Sequence, residues 1–145
     1  MRAIIIVLLG LIIFPACADD SAKSFLVNLR GSAAKCAITG SSGATSAFLV
    51  GRDHGTSSKK YQAALQQAYA EAKACVDDEK PKMKPLIKAE IEDHPDLRDV
   101  TLDAYAKWMS YMDWLSTPHD WATDSREEAA FEQAANRLQA EMDIR

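Results

Sequence analysis

SKKYQAALQQAYAEAKACVDD, residues 58–78, carries the clearest structural signal in the chain. Its apolar side chains recur every three to four residues, which places them along one face of a helix. The remaining positions are filled by Gln, Glu, Lys and Ala, which favour helix and tolerate solvent. The stretch therefore predicts an amphipathic helix from Ser58 to Asp78. Its apolar stripe consists of Tyr61, Leu65, Ala68, Tyr69, Ala72, Cys75 and Val76.

A second amphipathic helix is predicted upstream, from about Ser21 to Ile38, although Gly31 and Ser32 weaken its middle. Its stripe consists of Phe25, Leu26, Leu29, Ala33 and Cys36. Each helix thus has one cysteine on its apolar face. If the two faces pack together, Cys36 and Cys75 come within reach of a disulfide.

An oxidising compartment would make this disulfide the expected state of the two cysteines. A bridge that closes a loop of this length stabilises the folded chain by about 3–4 kcal/mol in the chain-entropy treatment. The alternative is a pair of buried thiols that act as small apolar side chains. We expect the disulfide, because both cysteines lie on core-facing stripes.

The segment between these two helices is rich in helix breakers. GSSGATS at 40–46 predicts a flexible connection, and GRDHGTSS at 51–58 predicts a loop. AFLV at 47–50 is too short to assign by periodicity and predicts either a helical turn or an extended piece on the core. The chain would then reach the helix at Ser58 without regular structure.

Two prolines interrupt the helical pattern after residue 78. Pro81 and Pro85 each lack a backbone N–H, so we expect the helix to end near Lys80 and to restart by Met83. The short restarted helix would continue to His94. A single kinked helix over 58–93 is the alternative.

Two more helices follow, from about Asp96 to Ser116 and from Ser125 to the C-terminus. Ser125 and Glu128 form a capping box at the start of the last one. Their stripes contain Leu102, Tyr105, Trp108, Met109, Met112, Leu115, Ala130, Phe131, Ala134, Leu138 and Met142. No segment has a convincing strand pattern. The chain is therefore predicted to be all-α, a small bundle of four to five amphipathic helices.

The N-terminus has the layout of a secretory signal peptide: a basic Arg2, an uncharged apolar run, and a small-residue cleavage site at 16–18. The apolar stretch is shorter than the roughly 20 residues of a membrane-spanning helix. Cleavage after Ala18 would leave a single domain, 19–145, in the periplasm or outside the cell, with no transmembrane helix. The alternative is a lipid anchor at Cys17, against which Phe14 and Pro15 argue.

The charge of the chain argues against a nucleic-acid partner. It has 17 Lys and Arg against 21 Asp and Glu, a formal net charge of −4. Four lysines cluster at 80–88, but acidic residues flank them, so no basic face is left for a phosphate backbone.

The motifs of common enzymes are missing from the sequence. There is no nucleophile elbow, C-x-x-C, P-loop or dinucleotide fingerprint, and no cofactor is predicted. His54, His94 and His119 fall in three predicted loops, each beside an aspartate. A metal-binding protein or hydrolase built from these loop histidines is the alternative from another functional class. We expect no catalytic site and no metal site.

An aromatic-rich segment, YAKWMSYMDWLSTPHDW at 105–121, holds all three tryptophans. Tyr111 and Trp114 fall away from the apolar stripe at 100° per residue, and Trp121 follows in the loop. Exposed aromatics are favoured at binding surfaces, so Tyr111, Trp114 and Trp121 are the candidate interaction surface. The alternative is that Trp114 and Trp121 pack under their own loop.

These observations favour a small exported helical protein that is not an enzyme and acts by binding another protein. AFLVG at 47–51, Cys75, and IEDHPDLRD at 91–99 before a helix resemble periplasmic immunity proteins of type VI secretion. That resemblance implies a helical, disulfide-bearing inhibitor of a toxin that attacks the cell wall. A Trp-x-x-aromatic pattern also resembles helical lysozyme inhibitors, but the cysteine that should follow it is absent.

Overall fold

The computed structural model describes residues 19–123 and 125–144, with side chains from Ser24 onward. Its elements are α1 (Asp19–His54), α2 (Lys59–Asp93), a 3₁₀ turn (Pro95–Leu97), α3 (Arg98–Leu115) and α4 (Arg126–Asp143). No strand occurs in these ranges, so the predicted all-α bundle of four to five helices is confirmed. The predicted signal peptide, with Cys17, lies outside the described residues.

Helix α1 is continuous over 36 residues, so the predicted end at Ile38 and the predicted flexible connection at 40–46 are wrong. The glycines of this segment permit a close approach of α2. A Cβ placed on Gly43 would lie 2.8 Å from the Cβ of Ala68, and one on Gly51 would lie 2.8 Å from the Tyr61 ring. Packing against α2 therefore outweighs the low helix propensity of glycine.

The hydroxyl groups of this segment are also satisfied within the helix. Thr39, Thr45 and Ser46 each donate to the backbone carbonyl four residues back, at 2.9–3.0 Å. The stretch at 47–50 is accordingly an ordinary part of α1. The predicted loop at 51–58 shortens to a turn after His54, in which Gly55 has the positive φ (85°) that glycine tolerates.

Helix α2 runs unbroken through both prolines, so the single-helix alternative is correct and the predicted break at Lys80 is wrong. Ser58 caps its start and accepts a hydrogen bond from the Tyr61 N–H. Pro81 and Pro85 both lie on the exposed side, where water can reach the carbonyls that lose their helical partners. Met83 and Ile87, between and beyond them, are buried in the core and hold the helix in place.

Helices α3 and α4 follow the predicted bounds to within two residues. The predicted capping box is present, since the Ser125 hydroxyl accepts from the backbone N–H of Glu128 at 3.0 Å. Trp108 of α3 is fully buried, and its indole N–H donates to Ser32 of α1 at 3.2 Å. Arg30 of α1 donates to Asn136 of α4 at 2.7 Å.

The core occupies only one half of the α1–α2 hairpin. Its α1 members lie between Phe25 and Cys36, and its α2 members lie between Val76 and Ile87. The 3₁₀ turn, through Leu97, and helices α3 and α4 supply the rest of this core. The other half, which ends in the turn at residues 55–58, packs α1 directly on α2. We refer to residues 44–65 as the hairpin tip.

The predicted disulfide is confirmed: Cys36 and Cys75 are bonded, with their Cα atoms 5.5 Å apart. The bridge lies where the four-helix core passes into the hairpin. Beside it, the Lys35 ammonium lies 2.6 Å from the Glu79 carboxylate, which joins the same two helices. In the part of the chain that the structure describes, no helix is long and apolar enough to cross a membrane.

Candidate functional site

Tyr111, one of the three predicted surface residues, belongs to the core. It is 4% exposed, and its ring lies 6.1 Å from that of Phe131 on α4. Burial raises the pKa of its hydroxyl, and the nearby Glu128 carboxylate raises it further. The predicted exposure of Tyr111 is wrong, because α4 packs over the side of α3 that carries it.

Trp114 and Trp121 are half-buried and pack within their own loop. The Trp114 and His119 rings stack with their centres 3.6 Å apart, and the Trp121 ring lies 4.1 Å beyond His119. The Tyr69 hydroxyl of α2 donates to the His119 carbonyl at 2.8 Å, which ties the loop to the hairpin. We call Tyr69, Trp114, His119 and Trp121 the aromatic cluster.

The aromatic cluster depends on a glycine of α1. The six-membered ring of Trp121 lies where a side chain at Gly40 would be, since a Cβ there would fall 1.8 Å from a ring carbon. Sequence reasoning missed this role and assigned Gly40 to a flexible connection. The available signal was the spacing of Gly40, Gly43, Ala47 and Gly51, which share one face of α1.

A groove of about 640 Å³ lies between the aromatic cluster and the hairpin tip. Five of its eleven lining residues carry aromatic rings, and its polar groups are hydroxyls, the His119 imidazole and the Asp120 carboxylate. Asp120 is held by a hydrogen bond from the Ala122 N–H to its Oδ1, at 2.9 Å. The lining residues are Ser41, Ala44, Thr45, Phe48, Tyr61, Leu65, Tyr69, His119, Asp120, Trp121 and Ala122.

Phe48 is the most exposed aromatic residue of this groove. Two thirds of its surface (67%) is open to solvent, although it lies in the middle of a long helix. Because it borders a groove, this exposed aromatic side chain is placed to act as an anchor for a partner. Sequence reasoning missed Phe48, because AFLV was too short to assign to a helix face.

The three histidines are not gathered into one site. His54 ends α1, His94 caps α2, and His119 lies between two indoles, stacked on Trp114 and tilted against Trp121. Among residues 19–123 and 125–144, no group of three or more His, Cys, Asp or Glu side chains is placed to hold a metal ion. The disulfide also removes Cys36 and Cys75 from consideration as nucleophiles.

The fold and the groove define a disulfide-linked, all-α protein with a four-helix core and a projecting two-helix tip. Comparison with protein-family models, with curated proteins and with solved structures found no match to this chain.

Proposed function

We propose that this protein is exported and acts, without catalysis, by binding another protein through the groove and Phe48. The exposure of Phe48 beside an aromatic-lined groove is the observation that carries the proposal. Export is supported by the signal-peptide layout of residues 1–18 and by the disulfide, which is expected outside the reducing cytoplasm.

The close packing of the hairpin also supports a binding role. Gly51 packs closely on Tyr61 in the tip and Gly43 on Ala68 beside it, which holds the two helices together, and the disulfide fixes them where they enter the core. A preorganised surface loses little conformational entropy on association. The groove therefore offers a fixed shape to a partner instead of a flexible loop.

A narrower form of the proposal is inhibition of a toxin that attacks the cell wall. The AFLVG stretch, which carries the resemblance to immunity proteins, lies in the hairpin tip and contains Phe48. In this form the tip would enter or cover the active site of the toxin. Co-expression with the product of a neighbouring toxin gene would test it, since Phe48→Ser should abolish protection.

Site-specific photo-crosslinking tests the general proposal. A photoreactive benzoylphenylalanine at position 48 should give a discrete product with one envelope protein of the source cell. The same group at Ala63, an exposed position elsewhere in the hairpin, should not give it.

A substitution pair completes this test. In a pull-down, Phe48→Ser should lose the crosslinked partner, whereas Ile144→Ser, also at a highly exposed apolar residue (79%), should retain it. Equal products from positions 48 and 63, or the absence of any product with another protein at position 48, would contradict the proposal.

A further inference from the structure

The outward face of α1 carries a continuous strip without charge. Seven positions along it are all exposed to solvent, and none is Asp, Glu, Lys or Arg. Three of them are among the large apolar side chains most open to solvent: Val27 (69%), Ile38 (64%) and Leu49 (45%). The strip consists of Val27, Gly31, Ala34, Ile38, Ser42, Thr45 and Leu49.

The spacing of the strip repeats every 11 residues. A large aliphatic residue comes first, at 27, 38 and 49, and small residues follow it at 31, 34, 42 and 45. An 11-residue repeat has 3.67 residues per turn, so its members stay on one line of a nearly straight helix. From Val27 to Leu49 this line is about 33 Å long, at 1.5 Å per residue.

The order of these spacings is the same in both directions from Ile38. Two copies of α1 placed antiparallel, with a two-fold axis at Ile38, therefore bring the strip against itself in register. Val27 then faces Leu49, Gly31 faces Thr45, and Ala34 faces Ser42. Large residues at the ends and centre alternate with pairs of small ones, which allow the two backbones to approach closely.

We propose that a second copy of this chain binds the strip, forming a two-fold symmetric antiparallel dimer through α1. A two-fold interface uses the same patch on both subunits, so the patch must be complementary to itself. The palindromic spacing around Ile38 meets this requirement. The proposal does not depend on the groove, which the strip borders at Thr45.

The flanking charges favour the antiparallel over the parallel arrangement. Lys35 and Arg30 lie on opposite sides of the strip, and each is already paired within its own chain, with Glu79 and with Glu132. In the antiparallel register each edge of the strip meets the same edge of the second copy, so the two Lys35 are about 9 Å apart along the helix axis and the two Arg30 about 24 Å apart. A parallel pair would make each edge meet the opposite edge, which places Lys35 of each copy about 7.5 Å along the axis from Arg30 of the other, and these two like-charged pairs are less favourable.

The size of the strip predicts a weak dimer. A dimer that buries one helix face of this length on each copy would cover about 1,000 Å² of surface in total. This area is at the low end for specific interfaces. We therefore expect association in the micromolar to millimolar range, which sedimentation equilibrium detects as a mass that rises with concentration. The protein should be expressed with its complete sequence, so that any processing of residues 1–18 takes place first.

Ile38→Asp is the decisive variant, because it places two carboxylates against each other on the axis. We expect it to weaken the dimer by roughly a hundredfold or more. Ile144→Asp is the matched control, since it makes the same change at an exposed isoleucine away from the strip. Circular dichroism should show equal helicity for both variants. A wild-type chain that remains monomeric, or equal weakening by the two variants, would overturn the proposal.

Cysteine crosslinking tests the register. A mixture of Ala34→Cys and Ser42→Cys chains, carrying different tags, should crosslink preferentially between unlike chains. Crosslinking of Ala34→Cys chains mainly with each other would overturn the antiparallel arrangement.

Discussion

Glu79 and Glu90 are two buried carboxylates on the same helix, and their pKa values are shifted in opposite directions. Glu79 lies 2.6 Å from the Lys35 ammonium and 3.0 Å from that of Lys82, and the Lys35 hydrogen bond lowers its pKa below the ordinary value of 4.5. Glu90 is 2% exposed, and its Oε1 has no hydrogen-bond partner in the described part of the chain. Burial raises the pKa of Glu90.

The two carboxylates should therefore change stability in opposite directions with pH. A lowered folded-state pKa means that Glu79 stabilises the fold above pH 4.5, and that this contribution is lost as pH falls through the folded value. A raised folded-state pKa means that Glu90 is most favourable when protonated. Its contribution is present below pH 4.5 and is lost as pH rises through the folded value.

Substitution by glutamine separates these effects. Glu79→Gln should lower the unfolding free energy at pH 7 by about 1–3 kcal/mol, because a buried charge-assisted hydrogen bond is lost. Glu90→Gln should raise it at pH 7. The Glu79→Gln difference should shrink as the pH falls below 4.5, whereas the Glu90→Gln difference should already shrink as the pH falls toward 4.5 from above. Urea unfolding at several pH values measures this, and parallel pH dependences of the two variants would contradict the assignment.

At the scale of single elements, α1 shows how packing overrides propensity. Its glycines at 40, 43 and 51 face other parts of the protein, whereas a Cβ added to Gly31 would meet nothing within 4 Å. The first three allow close contact with the loop and with α2. Gly31 has no such role within the chain. It therefore only lowers the stability of the helix, by the backbone entropy that glycine loses on folding.

Alanine substitutions at two of these glycines should have opposite effects. Gly40→Ala should destabilise the protein by about 1–3 kcal/mol, because its methyl group would overlap the Trp121 ring. Tryptophan fluorescence should shift to longer wavelength as that ring is displaced. Gly31→Ala should stabilise by about 0.5–1 kcal/mol. Thermal unfolding at low protein concentration measures both, and equal effects of the two variants would show that Trp121 does not need Gly40.

Packing also outweighs local helix propensity in α2. Pro81 and Pro85 each remove a helical hydrogen bond, yet the buried residues around them keep one helix axis through the core. The freed carbonyl groups face solvent, which lowers the cost of losing those bonds.

At the scale of the whole molecule, the long hairpin is held at three kinds of contact: the four-helix core, the disulfide and the aromatic cluster. The disulfide joins α1 to α2 at the edge of the core, and the aromatic cluster lies just beyond it toward the tip. The tip itself has only two helices to stabilise it. Its local stability should therefore depend on the disulfide more than that of the core does.

Reduction of the disulfide tests this dependence. We expect the unfolding free energy to fall by about 3–4 kcal/mol, as the unfolded chain regains freedom in a loop of this length. Hydrogen exchange should increase first in the hairpin tip, with smaller changes in α3 and α4. Thiol titration of the denatured, unreduced protein should find neither Cys36 nor Cys75. Uniform loss of protection across all helices would contradict a specific role at the tip.

The sequence by itself determined the all-α class, the core stripes and the disulfide, because these depend on local periodicity. Phe25, Leu29, Trp108, Phe131 and Leu138 are all buried as their spacing predicts. The capping box at Ser125 was also predictable, since it involves residues only three apart. The helical class, the stripes and the cap need no knowledge of which helix lies beside which, whereas the disulfide also requires that the two cysteine-bearing faces pack together.

Only the tertiary structure decided the course of residues 40–54, the unbroken α2 and the position of the aromatic side chains. The glycines at 40–43 look like helix breakers until Trp121 and Ala68 are placed against them. Tyr111 looks exposed until α4 covers it, and Phe48 gains its place in a groove only because α1 continues past Ile38. In each case a contact between residues far apart in the chain outweighs the local preference, and no local pattern records that contact.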